Sequence, residues 1–295
     1  ANNAIQMEPR DSINARRAER LAMYLKKKAE RETPSIDTEP RPILALPGPA
    51  FPKFNFAKSS IDQGENESST VERFCVNSRP IFLDRTTKIN SSDHTEQTAG
   101  SVWDCSLILA KYLERHPDIV QGKVILELGS GQGLVGIACS LIGASRVLLT
   151  DVSAAVPALD ANVRLNVLED KVSAALLDWA RAEQHIADLP RLDLVVAADT
   201  VWVPGLAPLF VNALAAAMKG TGGSGDAAAT LPTASESSLH TQALLCHRTR
   251  SHLTDRVLWD HMKEAGLEWS TVPDEELHQE FKDPDVRVFS VRLHA

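Results

Sequence analysis

The sequence lacks any long hydrophobic run. Its uninterrupted apolar stretches, such as residues 194–198, fall far short of the roughly 18 residues that a membrane-spanning helix needs. The four cysteines are scattered without a CxxC pair, which argues against a structural zinc site. No positively charged leader followed by an apolar segment opens the sequence, so we expect a reduced protein of the cytoplasm, with the nucleus as a further location, and no membrane contact.

Basic residues are in deficit as well. The chain has 31 Lys and Arg against 39 Asp and Glu, which gives a net charge of −8. Because neutralising phosphates requires a surplus of basic side chains, we do not expect a nucleic-acid partner. The triplet at residues 26–28 is three lysines. We interpret it as a solvated helix face, with a nuclear-import or docking signal as the alternative.

The 295 residues divide into an extension and a domain. Residues 1–70 combine a charged, helix-prone segment with six prolines between positions 34 and 52, so we predict a flexible, partly helical extension. Residues 71–295 carry the regular apolar patterns of one folded domain. Within it, residues 220–238 are rich in Gly, Ala, Ser and Thr, and we predict a disordered insertion there.

Strand and helix patterns alternate along the domain. A hairpin is predicted from strands at 71–76 and 80–84, and the later strands are predicted at 124–128, 146–150, 173–177, 192–198, 243–247, 267–271 and 286–293. Helices are predicted at 104–115, 134–142, 157–166, 206–218 and 253–264, with Asp104 as the cap of the first. This alternation predicts an α/β, doubly wound, mostly parallel seven-stranded sheet. In such a sheet ligands bind at the carboxyl ends of the strands.

A glycine-rich turn follows the first strand of that sheet. Gly129, Gly131 and Gly133 occupy alternate positions, where backbone can approach a ligand closely because no Cβ intervenes. Residues 131–136 also satisfy the dinucleotide pattern GxGxxG, but that fingerprint places its first glycine at the end of the strand. Counted from Gly129 the sixth position is leucine, so we favour an acid-x-G-x-G-x-G turn.

Asp151 follows the second strand. A carboxylate there can reach the two hydroxyls of an adenosine ribose, as nicotinamide and S-adenosylmethionine enzymes both require. Capping of the following helix is the simpler alternative for this residue. The coincidence with the glycine turn favours the ribose role.

Four motifs together resemble a known family. They are Gly100–Asp104 (GSVWD), the strand and turn at Val124–Ile137, Leu177–Trp179 (LDW) and Asp199–Trp202 (DTVW). With them the chain, from residue 71 to 293, resembles the class I, seven-β-strand S-adenosylmethionine-dependent methyltransferases. More narrowly, it is similar to the methyltransferase-like protein-lysine methyltransferases, whose members modify elongation factors and heat-shock chaperones. The resemblance implies a Rossmann-like fold whose last strand is antiparallel.

The resemblance also implies a cofactor site for S-adenosyl-L-methionine. Its residues would be Trp103, Glu127, Gly129, Ser130, Gly131, Asp151, Trp179 and Ala198. The turn would line the methionine and ribose, and Asp151 would bind the ribose hydroxyls. Trp103 would close over the cofactor, Trp179 would flank the adenine, and Ala198 would contribute backbone.

Asp199 and Trp202 are the predicted catalytic residues. The carboxylate of Asp199 would hold and orient the acceptor lysine, because its charge favours the ammonium form and cannot help to remove the proton. The related family usually has Tyr where this chain has Trp202. An indole offers a wall and one donor in place of a phenol, which leaves methyl transfer intact but bears on which amino acid is modified.

Other functions remain open. The predicted partner is a protein substrate, an elongation factor or chaperone, and we expect a monomer. Within the same class the acceptor could be a protein histidine or a small amine. A noncatalytic docking module and an NAD-dependent oxidoreductase are alternatives, the latter disfavoured by the glycine register. No metal is expected, since the spacing of Cys246, His247 and His252 matches no zinc pattern.

Overall fold

A computed structural model describes residues 71–84, 89, 94–220 and 241–294. The predicted extension at 1–70 and nearly all of the predicted insertion at 220–238 lie outside these residues. Strands β1 (Val71–Val76) and β2 (Arg79–Asp84) form the predicted antiparallel hairpin. Asn77 and Ser78 make its turn with φ of 50° and 60°, the left-handed pair that suits a two-residue hairpin.

The seven-stranded sheet has the predicted fold class. Its strands are β3 (Val124–Leu128), β4 (Arg146–Asp151), β5 (Val172–Leu176), β6 (Leu194–Ala198), β7 (Gln242–Arg248), β8 (Leu267–Thr271) and β9 (Val286–Leu293). They lie in the order β5-β4-β3-β6-β7-β9-β8. The first five of this order are parallel, and β9 is antiparallel to both of its neighbours. The antiparallel last strand is therefore confirmed.

Helices cover both faces of the sheet. They are α1 (His94–Gln97), α2 (Asp104–Arg115), α3 (Leu134–Ile142), α4 (Val156–Leu165), α5 (Ala182–Ile186), α6 (Ala207–Lys219) and α7 (His252–Glu264). The short α1 and α5 were not predicted. The prediction that Asp104 caps α2 was wrong, because Trp103 holds the cap position in extended conformation and Asp104 is the first helical residue. The carboxylate of Asp104 instead accepts a hydrogen bond from Arg248.

The alternation of side chains along β3 separates two apolar layers. Ile125 faces the layer that contains α2, α3 and α4, whereas Leu126 and Leu128 face the layer that contains α5, α6 and α7. All three of these side chains are fully buried. Burial on both faces explains why the strands read as continuous apolar runs, and it fixes the sheet as the rigid centre of the domain.

The hairpin is anchored on helix α4. Asn162 within α4 accepts a hydrogen bond from the backbone N–H of Asp84 at 2.8 Å. Asn166, just past the helix, accepts one from Phe82 N–H at 2.9 Å and donates to the carbonyl of the same residue at 2.7 Å. These bonds satisfy the outer edge of β2.

The strand order reverses between β3 and β6, which makes the gap beyond their carboxyl ends the topological switch point. The glycine turn follows β3, Asp151 closes β4, and Asp199 follows β6. Of the helices at 94–220 and 252–264, none is both long and apolar enough to cross a membrane.

Candidate active site

The glycine turn after β3 is shaped by left-handed backbone. Gly129, Gly131 and Gly133 have φ of 68°, 55° and 85°, values that other residues adopt only with strain. Gly129 also needs to be small, since a Cβ there would lie 2.8 Å from the methyl of Thr200 and 3.2 Å from the ring of Trp179. The turn therefore packs closely against the residues that follow β5 and β6.

Ser130 ties this turn to β4. Its backbone N–H donates to the carbonyl of Thr150 at 2.9 Å, and its hydroxyl accepts from Thr150 N–H at 2.9 Å. The hydroxyl of Thr150 donates to the carbonyl of Glu127 at 2.6 Å. Because Ser130 and Thr150 are both buried, these bonds are shielded from water and hold the turn rigid.

Asp151 lies at the end of β4, directly against the turn. Its Oδ2 accepts from Gly131 N–H at 2.8 Å and its Oδ1 from Val152 N–H at 2.7 Å. Burial raises the pKa of this carboxyl above its ordinary value, with Glu96 adding to the rise, while the two backbone N–H groups act against it. Each carboxylate oxygen keeps a lone pair for a further donor such as a hydroxyl.

Glu127 lies behind the turn, within the buried layer. Its Oε2 accepts from the backbone N–H of Gly136 at 2.9 Å, in the first turn of α3. Burial raises the pKa of this carboxyl to about 8, so its acid form predominates at neutral pH. In this position the side chain fixes the strand to the helix that follows it.

Glu127 should make the stability of the protein depend on pH. Its pKa of about 8 in the folded state lies above the ordinary value of 4.5, so the folded protein holds a proton that the unfolded chain releases. The free energy of unfolding should therefore fall as pH rises between these two values, by up to a few kcal/mol. In Glu127→Gln this dependence should be reduced, as measured by urea unfolding at about pH 5 and about pH 8. Parallel changes in the two proteins would contradict the assignment.

The two tryptophans of the predicted site have different surroundings, and the ring of Trp179 lies against Gly129. Trp179, in a short 3-10 turn after β5, packs edge-on against Phe210 with ring centroids 5.4 Å apart. Trp103 is 41% exposed, and its indole N–H donates to the carbonyl of Thr98 at 3.1 Å. The indole of Trp179 is thus held against the core, whereas that of Trp103 lies at the surface.

The end of β6 carries the predicted catalytic residues. Ala198 closes the strand, and the backbone N–H of Asp199 continues the pairing by donating to the carbonyl of Cys246 at 2.9 Å. Asp199 has φ of 60°, a strained conformation for a residue with a Cβ, and such strain is concentrated at functional sites. Trp202 lies three residues farther along, half-buried between buried Val201 and Val203.

Arg250 is the partner of Asp199 that sequence reasoning missed. Its Nη2 donates to Asp199 Oδ2 at 2.6 Å, and its Nη1 donates to Oδ1, so the pair is bidentate. The guanidinium also lies 5.7 Å from the ring centre of Trp103. Its position in the sequence could have indicated this pairing, because Arg250 lies two residues past the end of β7 and β7 is the neighbour of β6.

The site therefore combines a glycine cradle, a carboxylate and an ion pair. The structure brings together Gly129, Asp151, Trp179 and Asp199 at the carboxyl ends of β3 to β6, and Trp103 joins them through Arg250. The hydroxyl of Thr200 is buried without a hydrogen-bond partner beside Gly129. A bound polar ligand could satisfy this buried hydroxyl.

The histidine and cysteines near this site do not form a metal centre. His247 accepts or donates a bond of 2.9 Å between its Nε2 and Asp255, and its ring lies edge-on to Trp259. Among residues 71–84, 94–220 and 241–294, no group of three or more His, Cys, Asp or Glu side chains is placed to hold a metal ion.

Comparison with known proteins agrees with this architecture. The family model for lysine methyltransferases matches residues 83–223. The chain is 35% identical over 121 residues to the protein N-lysine methyltransferase METTL21A of Xenopus tropicalis, covering 39% of this chain and 54% of that protein. It is 34% identical over 117 residues to EEF1A lysine methyltransferase 3 of the same organism, covering 39% and 51%.

A third relative is named for a different acceptor. The mouse histone-arginine methyltransferase METTL23 is 34% identical over 106 residues, covering 35% of this chain and 41% of that protein. The chain thus spans about half the length of the curated relatives it matches. The matched region runs from the end of β2 past α6 and holds the glycine turn, Asp151 and Asp199. Residues 83–223 are thus similar to the lysine methyltransferase family, and they supply strands β3 to β6 of the seven-stranded sheet.

Proposed function

We propose that the protein is an S-adenosylmethionine-dependent protein-lysine methyltransferase. The observation that carries this proposal is the glycine turn at the switch point, where Gly129 packs closely against Thr200 and Trp179, and Asp151 binds the turn from the neighbouring strand. The family of the matched domain supports the same activity.

The cradle fits a nucleoside cofactor that carries an amino acid. Gly129, Ser130 and Gly131 would face its methionine and ribose, Asp151 would accept from the ribose hydroxyls, and Trp179 would flank the adenine. Ala198, Trp103 and the orphaned hydroxyl of Thr200 would complete the contacts, with Glu127 supporting the turn from behind. When bound, S-adenosyl-L-methionine supplies an electrophilic methyl group on a sulfonium.

The residues after β6 would prepare the acceptor. A lysine with an ordinary pKa of about 10.4 is almost entirely protonated at neutral pH, so its proton must be lost before the nitrogen can attack. Asp199 would orient the nitrogen by accepting an N–H bond, and Trp202 would form an apolar wall. Alignment and exclusion of water are the main contributions that a protein can make to an in-line transfer.

The substrate is proposed to be another protein. Two relatives bear names that specify lysine, and one of those names specifies elongation factor 1A. An elongation factor or a chaperone is therefore the acceptor we favour, in the cytoplasm and with the enzyme as a monomer. Arginine is a second candidate acceptor because of the histone-arginine relative. A protein histidine or a small amine would require the same cofactor site.

Transfer of a labelled methyl group tests the proposal. The purified chain is incubated with labelled S-adenosylmethionine and a desalted lysate of cells grown with a methylation inhibitor, and labelled proteins are analysed by mass spectrometry. We expect label on lysine in one or a few proteins. Label confined to arginine or histidine would show that the acceptor residue is not lysine. Absence of protein label despite cofactor binding would refute the protein-methyltransferase assignment.

A further inference from the structure

Arg250 binds the carboxylate of Asp199, the group that is proposed to orient the acceptor nitrogen. The side chain of Asp199 is 2% exposed and that of Arg250 is 30% exposed, so the guanidinium lies between the carboxylate and solvent. A bidentate arginine–carboxylate pair is strong and directional. An acceptor that approaches Asp199 from solvent therefore meets an ion pair in place of a bare negative charge.

Among the described residues, the other titratable groups that act on Arg250 are Arg248, which is already paired, and the thiol of Cys105. Arg248, on β7, binds Asp104 of α2 and Asp283, both at 2.9 Å. The thiols of Cys105 on α2 and Cys246 on β7 are buried, and burial raises the pKa of Cys246 well above its ordinary value, which leaves that thiol uncharged. The local charge near Asp199 is thus set by Arg250.

This charge balance determines which form of an amine is stabilised. A carboxylate alone favours an ammonium ion, whereas a carboxylate neutralised by a guanidinium does not, and a nearby cation lowers the pKa of an amine. Methyl transfer needs the neutral form. The nitrogen lone pair forms the new N–C bond, the C–S bond breaks with its electron pair left on sulfur, and the proton has already passed to solvent.

We propose that Arg250 is a positioning residue that neutralises Asp199, so that the acceptor enters as a neutral amine. The proposal rests on the proposed function and deepens it by assigning control of acceptor protonation. Arg250 acts through Asp199, whose carboxylate it fixes for hydrogen bonding, and Trp103 holds the guanidinium from another side. The same pair disfavours a permanently cationic acceptor.

Binding of a simple cation tests the charge balance without cofactor or acceptor protein. Butylammonium chloride is titrated into the full chain at neutral pH, and the indole N–H signal of Trp103 is followed by NMR. Arg250→Gln should bind the cation at least about tenfold more tightly than the parent, because Asp199 is then a free carboxylate. The double variant Arg250→Gln, Asp199→Asn should lose the gain. Equal affinity in parent and Arg250→Gln would overturn the proposal.

The pH dependence of methyl transfer tests whether Arg250 controls the protonation of the acceptor amine. With lysate protein as acceptor and saturating cofactor, the rate profile of Arg250→Gln should shift by about one pH unit to alkaline pH. Arg250→Lys keeps the charge and should stay near the parent profile, and Arg292→Gln, which breaks a surface pair with Glu268, is the matched control. A rate loss in Arg250→Gln that is equal at every pH would mean a merely structural role.

The two proposals fail separately. If the parent transfers no methyl group but the butylammonium result holds, the charge role of Arg250 stands and the protein-methyltransferase assignment falls. If the parent transfers methyl groups and Arg250→Gln shifts neither the cation affinity nor the pH profile, only the role of Arg250 is overturned. Thermal unfolding of each variant identifies any that fail to fold, and Arg250→Lys then supplies the comparison.

Discussion

Replacing Asp199 with alanine should lower the rate of methyl transfer by about a hundredfold or more while leaving S-adenosylhomocysteine affinity close to that of the parent. Loss of the carboxylate removes the group proposed to orient the acceptor nitrogen, and misplacement of a reacting atom by about 1 Å is enough for a loss of this size. Single-turnover transfer to lysate protein and calorimetric titration with S-adenosylhomocysteine measure the two quantities.

Two further variants make this result specific. Asp274→Ala removes an exposed carboxylate that follows β8, three strands away from β6 in the sheet, and should behave as the parent. Asp199→Asn retains a hydrogen-bond acceptor beside Arg250 and should retain more activity than Asp199→Ala. If Asp199→Ala methylates as fast as the parent, the assignment of this residue to acceptor positioning is wrong.

Replacing Gly129 with alanine should weaken S-adenosylhomocysteine binding by at least about a hundredfold. The added Cβ would lie 2.8 Å from Thr200 and 3.2 Å from Trp179, so the turn must move away from the residues that are proposed to hold the cofactor. The left-handed φ of 68° adds strain of roughly 1–2 kcal/mol. Calorimetry measures the affinity, and thermal unfolding measures the strain.

Gly266→Ala is the matched control for this variant. Gly266 has a similar φ of 73°, but a Cβ there would meet no atom within 4 Å. The control should therefore carry the backbone strain without the collision and should bind S-adenosylhomocysteine normally. Equal affinities in the two alanine variants would show that the close packing at Gly129 has no part in cofactor binding.

Most of the fold could be predicted because local patterns and tertiary packing agree. Helix α3 and strands β3, β8 and β9 have the predicted bounds, since each joins a strong apolar pattern to a clear turn signal. Asp104 was mispredicted as a cap because Asp is a common cap residue. Its carboxylate is instead drawn to Arg248, which lies 144 residues away and has no local signature.

The site was predictable where chemistry follows a strand end and unpredictable where it depends on a distant partner. Gly129, Asp151 and Asp199 lie at the carboxyl ends of neighbouring strands, as the α/β pattern required. Glu127 was predicted at the cofactor, and that role stays a prediction; its carboxylate accepts a hydrogen bond from Gly136 of α3, a contact that the strand pattern alone did not indicate. Arg250 lies 51 residues from Asp199, so their pairing appears only once β6 and β7 are neighbours.

The most direct test of the central claim is calorimetric titration of the purified chain with S-adenosylmethionine, S-adenosylhomocysteine and NAD, with Asp151→Ala beside the parent. We predict tight binding of S-adenosylhomocysteine that is strongly weakened in Asp151→Ala, and no binding of NAD. Binding of NAD alone would contradict the methyltransferase assignment, and binding of none of the three would favour a docking module on the same fold.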